Sequence, residues 1–164
     1  MSKKPVAVIG GIVVVLALTA GCADNGMFGG GTDVAYGEEV TLEQNSGSSK
    51  FTVKVDEPRE VDHDASEEGM IALAVDIEAS TEKGAPSTNR ILGPFSLISP
   101  SGESVANHVA GTPDGDYFGT SMPREGESKS GTLVFLVEEE GDYTVQYKSP
   151  LKTEDVSATW SKSE

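Results

Sequence analysis

Cysteine and histidine are scarce in this 164-residue chain, which has one cysteine, Cys22, and two histidines. A single thiol cannot form an internal disulfide, so the folded part must be stabilised by its hydrophobic core. Gly-x-Ser-x-Gly elbows, phosphate-binding loops and Cys/His pairs are also missing from the sequence. We therefore expect a protein that is not an enzyme and that carries no cofactor.

Positive charge is the second scarcity. The chain has 12 lysines and arginines against 27 aspartates and glutamates, a net charge of −15. Binding to nucleic acid depends on basic side chains that release phosphate counterions, so no nucleic-acid partner is expected. The same charge disfavours a domain that lies flat on anionic lipid. Solubility and resistance to association are the simplest consequences of such acidity.

Long apolar runs are confined to the N-terminus, where residues 6–20 follow Lys3 and Lys4. A basic start, an apolar segment and a small residue before the cleavage point are typical of an export signal. A transmembrane helix is the alternative, but it needs about 20 apolar residues, and this run is shorter and contains two glycines.

The end of that run, Thr19-Ala20-Gly21-Cys22, resembles a bacterial lipobox, although Thr19 stands where leucine is commoner. The resemblance implies that residues 1–21 are a lipoprotein signal peptide and that Cys22 receives acyl chains such as palmitate. The mature protein would then be held at the extracytoplasmic face of the cell membrane. An ordinary secretory signal and an uncleaved anchor are the alternatives. Residues 22–36, rich in glycine, are predicted to be a flexible linker.

From residue 37 to 164 the pattern is that of β-structure. The longest alternating segment, 70–79, has Ile71, Leu73, Val75 and Ile77 on one face, which predicts a strand with one buried face. Residues 133–137 are apolar on both faces, which predicts a central, doubly covered strand. Gly- and Pro-containing turns separate about eight such segments, so we predict an all-β, antiparallel sandwich.

Several segments resemble a family of small bacterial extracytoplasmic lipoprotein domains with an immunoglobulin-like fold, similar to a secreted mycobacterial immunoprotective antigen. The matching segments are Phe51-Thr52-Val53, 72–77, Phe95-Ser96-Leu97 and Arg124-Glu125-Gly126-Glu127 leading into Gly131-Thr132-Leu133-Val134-Phe135. The resemblance implies an immunoglobulin-like sandwich outside the cytoplasm. It implies no catalytic or ligand-binding residues, because that family has no established activity.

Two groups of residues are candidate sites. Asp62, His63, Asp64 and Glu67 lie close together in sequence and could bind a divalent ion, although their spacing is not that of an EF-hand and a solvated acidic loop is the simpler interpretation. Tyr117 and Phe118, next to Gly119 in a polar segment, could form an exposed contact patch for a partner, whereas the other aromatic residues fit the core.

Taken together, these patterns favour a lipid-anchored binding or interaction module with a protein partner in the cell envelope. A divalent-ion or small-solute binding protein that uses the acidic residues 62–68 is the alternative hypothesis, and an envelope enzyme is a third.

Overall fold

The computed structural model describes residues 31–44, 46–62, 70–88, 93–107, 116–150 and 157–163. These residues form ten strands and no helix. The strands are β1 (Thr32–Ala35), β2 (Glu39–Gln44), β3 (Ser49–Val55), β4 (Arg59–Glu60), β5 (Ile71–Lys83), β6 (Phe95–Ile98), β7 (Ser104–Ala106), β8 (Ser128–Val137), β9 (Thr144–Lys148) and β10 (Ser157–Ser161). The all-β prediction is confirmed.

The strands form two sheets. Sheet A has the order β1-β10-β9-β6-β7, and sheet B has the order β2-β3-β5-β8, with the short β4 beside the first part of β5. Each of these pairings is antiparallel except that of β1 with β10, which is parallel. The two sheets enclose one core, so the chain forms the predicted immunoglobulin-like β-sandwich.

Alternation along the strands explains why these segments fold in this way. Val75, Ile77 and Ala79 of β5 are buried, while the exposed Glu78 lies on the opposite face. One difference from the prediction is that Ala72 and Ala74 are buried, whereas Ile71 and Leu73, on the face predicted to be buried, are only half-buried. Here β5 lies between β4 and β8, and an alanine side chain is short enough to be covered by its neighbours.

Aromatic side chains fill the centre of the core. The Phe95 ring meets the rings of Phe118 and Tyr147 edge-on, with centroids 5.8 and 5.6 Å apart, and Phe51 meets Tyr147 at 5.5 Å. Edge-to-face pairs at these distances are favourable beyond the area that they bury. Trp160 is completely buried and donates its Nε1 hydrogen to the Glu38 carbonyl.

The predicted linker, 22–36, extends too far toward the C-terminus. Its last residues form β1, which pairs with β10 from Thr32↔Ala158 to Ala35↔Ser161, and Val34 belongs to the core. Only four residues pair, and one apolar side chain is too little alternation to indicate a strand. Residues 1–30, including Cys22, lie outside the described part of the chain.

The predicted central position of 133–137 is also wrong. Both faces of this segment are largely buried, as expected, since Leu133, Val134, Phe135 and Val137 all belong to the interior. Among the described strands, however, β8 pairs only with β5, and its other edge carries a single parallel bridge between Tyr117 and Thr132. The segment 116–118, rather than a second flanking strand, is bonded to this edge of β8.

The turn 123–127, which includes one of the segments that carry the sequence resemblance, is hydrogen-bonded to the end of β5. Thr81 donates its amide hydrogen to Glu127 and its hydroxyl hydrogen to Pro123, and its carbonyl accepts from Gly126 at 2.8 Å. Gly126 has a φ of 78°, a conformation that favours glycine. This turn fixes where β8 begins against β5.

Candidate functional site

The outer face of sheet B carries a row of hydroxyl side chains that crosses four of its strands, β2, β3, β5 and β8. The register places Thr41 opposite Thr52, Thr52 opposite Ser80, and Ser80 opposite Ser128. Directly opposite residues of an antiparallel pair point to the same face. We call these four residues the hydroxyl row. Part of it lines a shallow depression, with Glu39, Glu78, Ala79, Lys129 and Ser130 around it.

Charged side chains border the hydroxyl row on both sides. On one side, Lys50 pairs with Glu82 at 2.8 Å. On the other, Lys54 lies 3.3 Å from Glu78 and 3.4 Å from Asp56. Because lysine and glutamate are longer than serine and threonine, the row forms the floor of a shallow trough between two charged borders.

Hydrogen bonds hold the floor of the trough in place. The hydroxyls of Thr52 and Ser80 lie 2.6 Å apart, and both side chains are half-buried. A hydroxyl has one hydrogen to donate and two lone pairs that can accept, so the Thr52 and Ser80 hydroxyls can still form hydrogen bonds with a ligand. The arrangement suits a polar surface that offers several hydrogen-bonding groups in a line.

The bordering lysines are firmly cationic. The hydrogen bond from Lys54 to Glu78 raises the pKa of Lys54, and the bond from Lys50 to Glu82 does the same for the pKa of Lys50. Both ion pairs are substantially exposed to solvent, where such pairs contribute little to stability and are weakened by salt. Their main effect is to hold the charged side chains at defined positions beside the trough.

A second, smaller depression continues from the trough along β5 and β8, lined by residues that include Asp76, Asp116 and Gly131. Thr132 donates its hydroxyl hydrogen to Asp76 at 2.5 Å, and the same carboxylate accepts from Arg59 at 3.3 Å. Gly131 allows the segment 116–118 to approach β8 closely, since a Cβ built at Gly131 would lie 2.7 Å from backbone atoms of Phe118.

The predicted ion site falls almost entirely outside the described residues, because His63, Asp64 and Glu67 belong to 63–69. Asp62 is described and is exposed, just after β4. Within the described ranges, no group of three or more histidine, cysteine or acidic residues is placed to bind a metal ion. The same ranges contain no helix that is long and apolar enough to cross a membrane.

The proposed contact patch at Tyr117 and Phe118 is wrong for Phe118. Phe118 is completely buried, packs edge-on against Phe95, and has the Lys129 ammonium 4.8 Å from its ring centroid. Tyr117 is half-buried, and its hydroxyl accepts a hydrogen bond from Asn107 at 3.3 Å. Backbone bonds from Phe118 and to Asp116 attach this segment to Thr132, which turns the phenylalanine inward.

Sequence reasoning missed the hydroxyl row, although a partial signal was present. Thr52 lies between the apolar residues Phe51 and Val53, and Ser128 and Ser130 are spaced by two. Each strand therefore indicates a polar face, but the row exists only once the register between strands is known.

Comparison with known proteins identifies the fold alone. No protein-family profile matches the chain, and no curated protein sequence matches it. The secreted protein MPT63 of Mycobacterium tuberculosis is similar in structure, with a TM-score of 0.60 and 14% identity, over 81% of this chain and 98% of that one. The yjhA protein of Bacillus subtilis matches with a TM-score of 0.52 and 14% identity, over 80% and 99%.

Proposed function

We propose that the protein is a lipid-anchored extracytoplasmic protein, acylated on Cys22, whose sandwich is a non-enzymatic module that binds a protein partner in the cell envelope. The observation that carries the attachment is the position of the one cysteine, directly after the apolar run 6–20. The similarity of its fold to a secreted protein, MPT63, supports export.

The short distance in sequence between Cys22 and the sandwich supports action close to the membrane. Ten residue steps separate Cys22 from Thr32, the first residue of β1. A chain of that length spans at most about 36 Å when fully extended. A domain held in this way stays within reach of partners that are themselves in or near the membrane.

The hydroxyl row is the surface that we assign to the partner. It offers four short hydroxyl side chains across the sheet, between two borders of fixed charge. No histidine is among the described residues that line the depression to activate a hydroxyl as a nucleophile, and the lysine among them, Lys129, donates to the Ser121 carbonyl at 3.0 Å, which favours binding over catalysis. Polar rather than apolar contacts favour a partner that is released as well as bound.

The attachment is tested by metabolic labelling with an alkyne analogue of palmitate. We expect the wild-type protein to be labelled and recovered with membranes, and Cys22→Ser to be unlabelled. Cys22→Ser should also accumulate as a precursor that retains residues 1–21, because processing of this kind of signal requires the cysteine. Equal labelling of both proteins would contradict acylation at Cys22.

The binding surface is tested by photocrosslinking in intact cells. A photoreactive residue at position 128 should give one discrete adduct with a second protein. Ser80→Arg, which fills the trough with a long cation, should abolish the adduct. Ser101→Arg places the same side chain in the exposed turn between β6 and β7 and should leave the adduct intact. Equal adducts in both variants would overturn the assignment of the partner to this face.

A further inference from the structure

The entry point of the chain defines two ends of the sandwich. Sheet A starts at Thr32, and the parallel pairing Thr32↔Ala158 puts the start of β10 at the same end. The antiparallel pairings then add the end of β9, at Lys148, and the start of β6, at Phe95. We call this the tether end and the opposite one the far end.

Contacts across the core show which end of sheet B lies at the tether end. Gln44, the last residue of β2, donates hydrogen bonds to the hydroxyls of Tyr147 and Ser149, which belong to the tether end of sheet A. The tether end of sheet B therefore comprises the end of β2 and the start of β8. At the far end, Lys162 after β10 forms ion pairs with Glu57 after β3, at 3.2 Å, and with Asp142, at 2.5 Å.

Charge is distributed very unequally between these ends. The described connections at the far end contain nine acidic residues and one basic residue, Lys162. All of them are exposed except Asp56, which is half-exposed. The acidic residues are Glu38, Asp56, Glu57, Asp62, Glu103, Glu138, Glu139, Glu140 and Asp142. The described connections at the tether end hold one arginine, Arg124, and three acidic residues: Glu125 and Glu127 in the turn 123–127, and Asp116, which lies beside the middle of β8.

We infer that the tether end is the surface that faces an anionic lipid bilayer, and that the charge of the far end keeps it pointing away from the membrane. This inference rests on the proposed attachment to the membrane, but it needs only that the attachment precede β1. An acylated Cys22 and an uncleaved anchor at 6–20 both meet that condition.

Two independent features favour this orientation. The covalent link enters at Thr32, so the tether end is the nearer end in most orientations that the link permits. In the remaining orientations the far end would approach the lipid headgroups. Electrostatic repulsion opposes these orientations, because charges interact strongly within a Debye length of about 8 Å at physiological salt. Lys162, the one cation in the described connections at the far end, is already paired with two carboxylates and does little to offset that repulsion.

The orientation leaves the hydroxyl row accessible. The row crosses the strands on the outer face of sheet B, and the strands run from the tether end to the far end. With the tether end at the bilayer, the strands point away from the membrane and this face stands upright beside it. A partner anchored in the same membrane can then approach the trough from the side.

The inference is tested by energy transfer from the protein to an acceptor dye in the membrane plane. Full-length Ser128→Cys and Ser163→Cys are each labelled with a donor on spheroplasts that produce them. Both serines are exposed; Ser128 begins β8 at the tether end and Ser163 lies just beyond β10 at the far end. The wild-type chain, labelled in parallel, corrects for any free thiol at Cys22.

We expect at least about two-fold more transfer from position 128 than from 163, since ten residues of strand span roughly 30 Å. Replacement of Glu138, Glu139 and Glu140 by lysine should reduce that difference, whereas replacement by glutamine should reduce it less. Equal transfer from both positions, or more from 163, would overturn the inference. So would a protein that does not sediment with the membranes.

The two proposals fail in different ways. If position 128 transfers more while mass spectrometry finds Cys22 unmodified, the orientation stands and acylation is wrong. If Cys22 is acylated and both positions transfer equally, the attachment stands and the orientation is wrong.

Discussion

Gln44 and Tyr147 join the two sheets through a hydrogen bond inside the core. The Gln44 Nε2 donates to the Tyr147 hydroxyl at 2.5 Å, and both side chains are completely buried. The other end of the same amide, Oε1, accepts the Ser87 amide hydrogen at 2.8 Å. One buried side chain therefore connects β2 of sheet B, β9 of sheet A and the segment that follows β5. Such a satisfied polar group specifies how the sheets pack as well as adding stability.

Replacing Gln44 with leucine should destabilise the protein by about 1–3 kcal/mol, because the buried Tyr147 hydroxyl loses its donor and the half-buried Ser87 amide loses its acceptor. Guanidinium unfolding, followed by the fluorescence of Trp160, the only tryptophan, measures this change. Thr41→Ala, on the exposed face of the same strand, is the control and should change stability little.

The double mutant Gln44→Leu/Tyr147→Phe separates the shared bond from the effects of each change alone. Contacting residues typically show coupling energies of about 0.5–3 kcal/mol. A coupling energy near zero would mean that the bond between the two sheets contributes no stability of its own.

Gly131 should tolerate no side chain. An alanine Cβ there would lie 2.7 Å from the backbone of Phe118 and 2.8 Å from the Asp116 carbonyl oxygen. Since these contacts are with backbone atoms, the segment 116–118 would have to move away from β8, at a cost of about 1–3 kcal/mol. Ser130→Ala, one residue earlier on the exposed face, should be nearly neutral. Thermal unfolding of both variants measures the difference, and equal melting temperatures would show that the segment is not held at β8.

Phe118 should behave as a core residue rather than as part of a binding surface. Truncation of a buried phenylalanine typically costs about 3–5 kcal/mol, so Phe118→Ala should lower stability strongly. Tyr117→Phe, which removes only the half-buried hydroxyl, should cost much less. Full stability of Phe118→Ala together with loss of the crosslinked adduct at position 128 would restore the idea of a contact patch.

The contrast between these residues indicates what the sequence can and cannot predict. Ile77 and Val75 lie on a long alternating strand, so their burial follows from periodicity alone. Phe118 and Val34 lie in short segments without regular alternation, and their burial depends on a bridge to Thr132 and a pairing with β10 that bring distant segments together. The hydroxyl row depends in the same way on the register of four strands, which no single segment encodes.

Divalent ions should leave the melting temperature unchanged if binding of a protein partner is the function. A site occupied at 100 times its dissociation constant would add about 2.7 kcal/mol, enough to raise the melting temperature measurably. Thermal melts with a chelator and then with calcium, zinc or copper provide the measurement. A rise with one ion that disappears in Asp62→Asn/Asp64→Asn would instead support the ion-binding hypothesis.

Alkaline pH should destabilise the protein through Tyr36. Its hydroxyl donates to the Tyr143 carbonyl at 2.8 Å, and burial, helped by the nearby carboxylates of Glu57 and Asp142, raises the pKa of Tyr36. In the unfolded chain a tyrosine titrates near pH 10. The stabilising contribution is therefore complete below about pH 10 and is lost as the pH rises toward the higher pKa of the folded state.

Tyr36→Phe isolates this contribution. Above about pH 10 the free energy of unfolding of the wild type should fall by up to about 1.4 kcal/mol per pH unit more steeply than that of the variant. Near neutral pH the variant should be less stable than the wild type by about 1 kcal/mol, since it lacks the hydrogen bond. Burial also raises the pKa of Tyr143, so part of the slope should persist in the variant. Parallel stability profiles from pH 8 to 11 would exclude Tyr36 as the titrating group.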